Sequence, residues 1–178
     1  MGQPKLLLPW GDETIVGHSV RQWRAAGAAS IAVVVAPDDS RLTDEVREGG
    51  AFCITNPDPD RGMFSSVRCA AEWPHWDVTL THWIISLGDQ PHLRDMTLRQ
   101  LIRAVQADPG SVWQPAYGGR RRHPVVLPKG SFVALRDTTA RDLKAFLESS
   151  PRSSVEIDDP GLEIDIDTPE DYARAKKL

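Results

Sequence analysis

Apolar residues follow two rhythms along this chain, and the switches between them lay out its elements. Ile31–Ala36 is a short β-branched run, apolar on both faces, as in a strand buried within a parallel sheet. Ala51–Thr55 is a second short strand, and Trp83–Leu87 is the clearest buried strand of all. Between them the spacing lengthens. Val16, Val20 and Trp23 share one face of a helix predicted over Val16–Ala26, and Gly27 is its stop signal. The same reasoning predicts helices at Arg41–Glu48, Ser65–Trp73, Thr97–Ala107, Thr139–Glu148 and from Pro169, with further strands near Val112–Gln114 and Pro124–Leu127. This alternation implies an α/β sheet covered by helices on both faces.

Composition narrows the class. With 178 residues, 40% hydrophobic and 26% charged, the chain suits a single domain over residues 1–178. A net charge of -4 argues against nucleic acid or an anionic membrane as partner. An anionic substrate must therefore be met by local positive charge. Cys53 and Cys69 stand in no metal-binding or disulfide spacing, which fits a reducing, cytoplasmic setting. No targeting segment opens the chain, no apolar run approaches the roughly 18 residues that span a bilayer, and no heptad pattern suggests an oligomer.

Three distant stretches carry candidate chemistry: Met1-Gly2-Gln3-Pro4-Lys5, Leu87-Gly88-Asp89-Gln90-Pro91 and Asp165-Ile166-Asp167-Thr168-Pro169-Glu170-Asp171. Ligands of open α/β sheets bind outside the carboxyl ends of the strands, where Asp89 is expected, with Gly88 allowing close backbone approach. Asp89 reads equally as a magnesium ligand or as a turn former. Thr168, Pro169 and Asp171 fit the N-cap, N1 and N3 positions of a final helix. Capping leaves Asp165 and Asp167 unexplained. Alternating with Ile164 and Ile166, they fall on one face of a short strand, and two like charges there call for a cation. Asp167 is the better ligand, Asp165 a supporting or surface residue. Magnesium takes one or two carboxylates plus substrate phosphates, so Asp89 with Asp167 suffices. Lys5 is either a phosphate contact or a solvated lysine. Arg120-Arg121-Arg122 suits an anionic acceptor or a solvated loop, and His123 is a candidate to orient the acceptor or a structural residue at a strand start. The tryptophans read mostly as packing, with Trp10 and Trp113 as candidates for stacking on a ring.

Over nearly its whole length the chain resembles the MobA-like nucleotidyltransferases, most of all their molybdenum-cofactor cytidylyltransferase branch. Met1–Pro9 is similar to the end of the family's LAAGxSxRMGxxK loop and the leucine-rich strand after it. Gly62-Met63-Phe64-Ser65-Ser66 resembles GMxSSL, Leu87–Pro91 resembles LADQP, and Arg122–Leu127 resembles GHPVLF with arginine where glycine is usual. The DIDTPED segment matches unchanged. The resemblance implies a three-layer, Rossmann-like nucleotidyltransferase (GT-A-like) fold with a mostly parallel mixed sheet. It further implies magnesium-dependent transfer of a nucleotidyl group, CTP favoured, to a phosphate of a molybdopterin-type acceptor with release of pyrophosphate, and a partner in molybdoenzyme maturation. Lys5, Asp89 and Asp167 are then catalytic, with Asp89 and Asp167 on the metal. Gly62, Met63, Ser65, Ser66, Gln90, Pro91 and His123 contact substrate, although Ser65 and Ser66 also suit helix N-capping. The first strand and the glycine-rich half of the phosphate loop are missing from this pattern, so the expectation is an N-terminally incomplete domain. The alternatives are an inactive nucleotide- or cofactor-binding protein on the same fold, or transfer to a sugar or purine-pathway substrate.

Overall fold

The computed structural model describes residues 4–178; the Met1–Gln3 part of the phosphate-loop-like stretch lies outside them. Lys5–Leu7 form a single 3-10 turn. A two-residue-arm hairpin of β1 (Pro9–Trp10) and β2 (Glu13–Thr14) follows, and then α1 (Ile15–Ala25), capped by the Thr14 hydroxyl accepting from the Gly17 amide at 3.0 Å. The parallel pair β3 (Ala32–Val35) and β4 (Phe52–Thr55) flanks α2 (Ser40–Glu48), and α3 (Met63–Glu72) leads on to β5 (His82–Ile85). After α4 (Asp95–Ala107) come β6 (Val112–Tyr117), β7 (Arg120–Arg121), β8 (Val125–Pro128), α5 (Lys129–Ala134), α6 (Leu143–Glu148), β9 (Arg152–Glu156) and α7 (Pro169–Ala175). Among the described residues, no helix is long and apolar enough to cross a membrane.

The sheet is mixed. β5, β8, β6 and β7 are joined by antiparallel ladders, and β9 adds to β6 in parallel over five residue pairs. Among the described residues, β3–β4 and this five-stranded sheet are separate ladders. Period-two alternation on β8 shows why helices cover both faces. Val125 and Leu127 enter a core with α3, α5 and α6, whereas Val126 points the other way, against Leu101 and Val105 of α4. The first of these cores stacks Trp83 on Phe132 with ring centroids 4.4 Å apart, so Trp83 is a packing residue. Trp113 packs with the second core and donates its indole N–H to the Asp108 carbonyl. Trp10 sits edge-on to Tyr172 beside Ile15 and Ile166.

Most expected elements fall within one or two residues of their places, with two corrections. α6 begins at Leu143, not Thr139, because Asp142 caps it by accepting from the Ala145 amide at 2.7 Å. Residues 164–167 form an extended segment outside any ladder, not a strand. Its alternation survives, since Ile164 and Ile166 are buried while Asp165 and Asp167 face out.

Candidate active site

Lys5, Asp89 and Asp167 meet at one point although 162 positions separate the first from the last. The Lys5 ammonium donates to Asp89 Oδ2 at 2.6 Å and to Asp167 Oδ1 at 2.9 Å. Three local features bring them together. β5 ends at Ile85 and the chain turns outward through Gly88, where an added Cβ would stand 3.1 Å from the Leu6 side chain. Gly88 thus admits Leu6, and Leu6 carries Lys5 onto the turn. The Asp89 carbonyl then accepts from the Ile166 amide at 3.3 Å, fixing the acidic segment beside the same turn. Finally α7 starts at Thr168, whose hydroxyl accepts from the Asp171 amide while the Asp171 carboxylate accepts from the Thr168 amide. That reciprocal cap is the one expected, and it sets where Asp167 ends the extended segment.

The electrostatics are those of a cation site. Burial by itself lowers the Lys5 pKa, but the hydrogen bonds to Asp89 and Asp167 outweigh it and hold the ammonium above its ordinary value. Asp89 is mostly buried, with its side chain 18% exposed, and its Oδ1 is buried with no hydrogen-bond partner. Asp167 is 70% exposed. Among the described residues no cluster of three or more metal-ligating side chains occurs, so the protein offers two carboxylates. This fits a divalent ion that completes its shell with phosphate oxygens and water. Asp165 stands behind the pair, with its Oδ1 accepting from Gln90 Nε2 at 2.8 Å.

The remaining candidates divide. Gln90, His123 and Met63 line a cleft of about 630 Å³ with Asp165, next to the acidic pair. His123 reaches the Ile85 carbonyl from Nδ1 at 3.3 Å, so that nitrogen carries the hydrogen. Burial pushes its pKa down, only partly offset by that bond and by Asp165 and Asp89, and the ring is neutral at pH 7. Pro91 is buried. Gly62, Ser65 and Ser66 form a separate corner. Gly62, at φ 81°, is the N-cap of α3, and the serines lie inside the helix, so they do not cap it. Both hydroxyls instead accept from Nδ2 of Asn56, at 2.8 and 3.0 Å. Asn56 is only 2% exposed and was not apparent from sequence, where a lone asparagine after a strand reads as a turn residue.

The mixed α/β fold thus brings two carboxylates and a lysine to one point, an arrangement suited to a metal-bound phosphate. The model of the MobA-like NTP transferase domain matches residues 1–155, and the chain belongs to that family. It is 28% identical over 179 residues to the molybdenum cofactor cytidylyltransferase of Escherichia coli K12, covering 99% of this chain and 89% of that one. Among solved structures it is similar to Rv0371c of Mycobacterium tuberculosis H37Rv in complex with manganese, with a TM-score of 0.78 and 24% identity over 99% of this chain and 94% of that one. The fold is also that of a 4-diphosphocytidyl-2C-methyl-D-erythritol synthase, with a TM-score of 0.73 and 15% identity over 98% of this chain and 94% of that one.

Proposed function

We propose that this protein transfers a cytidylyl group from CTP to a phosphate of a molybdopterin-type acceptor in a magnesium-dependent reaction, releasing pyrophosphate. The observation that carries the reading is the convergence of Asp89 and Asp167 on one cationic point, with an unpartnered buried oxygen on Asp89. The molybdenum-cofactor relative supports the acceptor and the base. The manganese-bound neighbour supports a divalent ion.

Asp89 and Asp167 would hold the metal, which supplies charge neutralisation and alignment of the phosphate oxygens. Lys5, kept charged by its two carboxylates, offers its ammonium to the triphosphate as negative charge builds on the leaving group. Gln90 braces Asp165 and so fixes the segment that carries Asp167. An oxygen of the acceptor phosphate attacks the α-phosphorus in line, a new P–O–P linkage forms, and the α–β bond breaks to release pyrophosphate. The nucleophile is already an anion at neutral pH, so no side chain has to remove a proton. The chemistry is then positioning and charge compensation, and these residues suit it.

The test is pyrophosphate release from CTP and from GTP, with magnesium or manganese and a molybdopterin acceptor. Release with CTP in excess over GTP is expected, and inertness with every triphosphate overturns the reading.

A further inference from the structure

The cleft beside the acidic pair has a wall the reaction above does not use. Arg121 and Arg122 come from the β7 hairpin and the residue after it, Lys144 from α6 and Arg152 from β9. Only Arg122 of these four has a carboxylate partner lining the same cleft within ion-pair distance, Glu163. Among the described residues, Arg121, Lys144 and Arg152 form no ion pair. At about 630 Å³ the space is that of a small-molecule site.

Two orphaned atoms mark what it would take. Arg122 is held by its backbone, its amide donating to the Pro115 carbonyl at 2.8 Å and its own carbonyl accepting from Gln114 Nε2 at 3.1 Å. One terminal nitrogen of its guanidinium pairs with Glu163, yet Nε is buried and has no partner. A guanidinium binds best when Nε and a terminal nitrogen share one oxyanion, and here half of that fork is unused. Across the cleft Gln90 spends its amide nitrogen on Asp165, leaving Oε1 buried and unpartnered. The wall therefore asks for an anion at Arg122 and a hydrogen-bond donor at Gln90.

We infer that this cleft seats the acceptor substrate, a phosphate monoester that also carries a ring N–H or hydroxyl, and that Arg122 exchanges Glu163 for its phosphate. This rests on the nucleotidyl-transfer reading. Among the described residues Lys5 is the one cation paired with Asp89 and Asp167, so a second polyanion brought up for in-line attack needs positive charge of its own, and the cleft wall provides it. Arg122 acts as a specificity-determining residue, with Glu163 as the internal competitor that a dianionic phosphate displaces.

The probe is phenyl phosphate, titrated into the full-length protein while the arginine Nε–H signals are followed by nuclear magnetic resonance. The Arg122 signal is assigned by its loss in R122K. A saturable shift of that signal is expected, with binding weakened about tenfold or more in R122A, the size of one charge-assisted hydrogen bond. E163Q should instead tighten binding by about two- to fivefold, since it removes an exposed competitor, and a gain cannot come from misfolding. Titration in saturating CTP and manganese, with CTP binding read separately by nucleotide fluorescence, locates the site. Unchanged affinity in R122A, or loss of phenyl phosphate binding when CTP is present, overturns the inference. Failure of the nucleotidyl-transfer reading shows instead as absent metal-dependent CTP binding in the wild type.

Discussion

The two carboxylate arms of the site are built in opposite ways. Asp89 follows β5, whose Trp83 and Ile85 pack in the largest core, and it is largely shielded, with Leu6 packed over its turn. Asp167 hangs on an extended segment that belongs to no ladder, and what holds it is Ile164 and Ile166 in a smaller core, one backbone hydrogen bond to Asp89 and a helix cap. One arm is placed by a strand and its core, the other by several small interactions. On the proposed reading, the shielded arm would set where a cation sits and the open arm would meet what arrives with it.

Substitutions at the arms give the largest effect. Asp89→Ala is expected to lower pyrophosphate release by about 10³-fold or more and Asp167→Ala by about 10²-fold, the range for losing one fixed electrostatic contact. Equal losses, or a larger one at Asp167, would reverse the comparison. Next is the support of the open arm. Ile166→Ala should cost about 2–5 kcal/mol in urea denaturation, since Ile166 is fully buried, and should weaken turnover as well. Thr168→Ala removes one side of the reciprocal cap and should cost about 1 kcal/mol by the same measurement. Core stability unchanged by Ile166→Ala would mean that the open arm floats free of its packing.

The smallest effect is a pH dependence. His123 has a folded pKa below its unfolded value because it is buried, so the unfolded chain takes up the proton first as pH falls. Its contribution is complete above about pH 6.5 and is lost progressively below that. A His123→Gln variant should therefore show a flatter stability curve on the acid side of pH 6.5, followed by thermal melting across pH. A curve that keeps the wild-type slope would place the titration elsewhere.

How much of this was legible in the sequence follows from what each signal measures. The β-branched runs of β3 and β5 and the one-sided α1 are hydrophobic signals, and they fell within two residues of their places. β9, Arg-Ser-Ser-Val-Glu, was missed because its place is set by pairing with β6, and pairing leaves no trace in apolar periodicity. α5 buries Phe132 alone within six residues, too few for a period to show. In the site, the acidic motifs could be named because their order along the chain is distinctive. That Asn56 organises Ser65 and Ser66 depends on a contact nine and ten residues away, through an otherwise ordinary turn residue.

Lys5 carries one further consequence. With its ammonium between Asp89 and Asp167, the resting site contains its own counter-ion, and two like charges stay together without help from solution. On the proposed reading, if Asp89 and Asp167 held a divalent ion, the Lys5 ammonium would lose its two carboxylate partners and would need an anion, which a triphosphate would supply. Each ligand then removes a penalty the other would face alone, so the coupling is mutual. On that reading the lysine would make each ligand bind weakly alone and more tightly when the other is present.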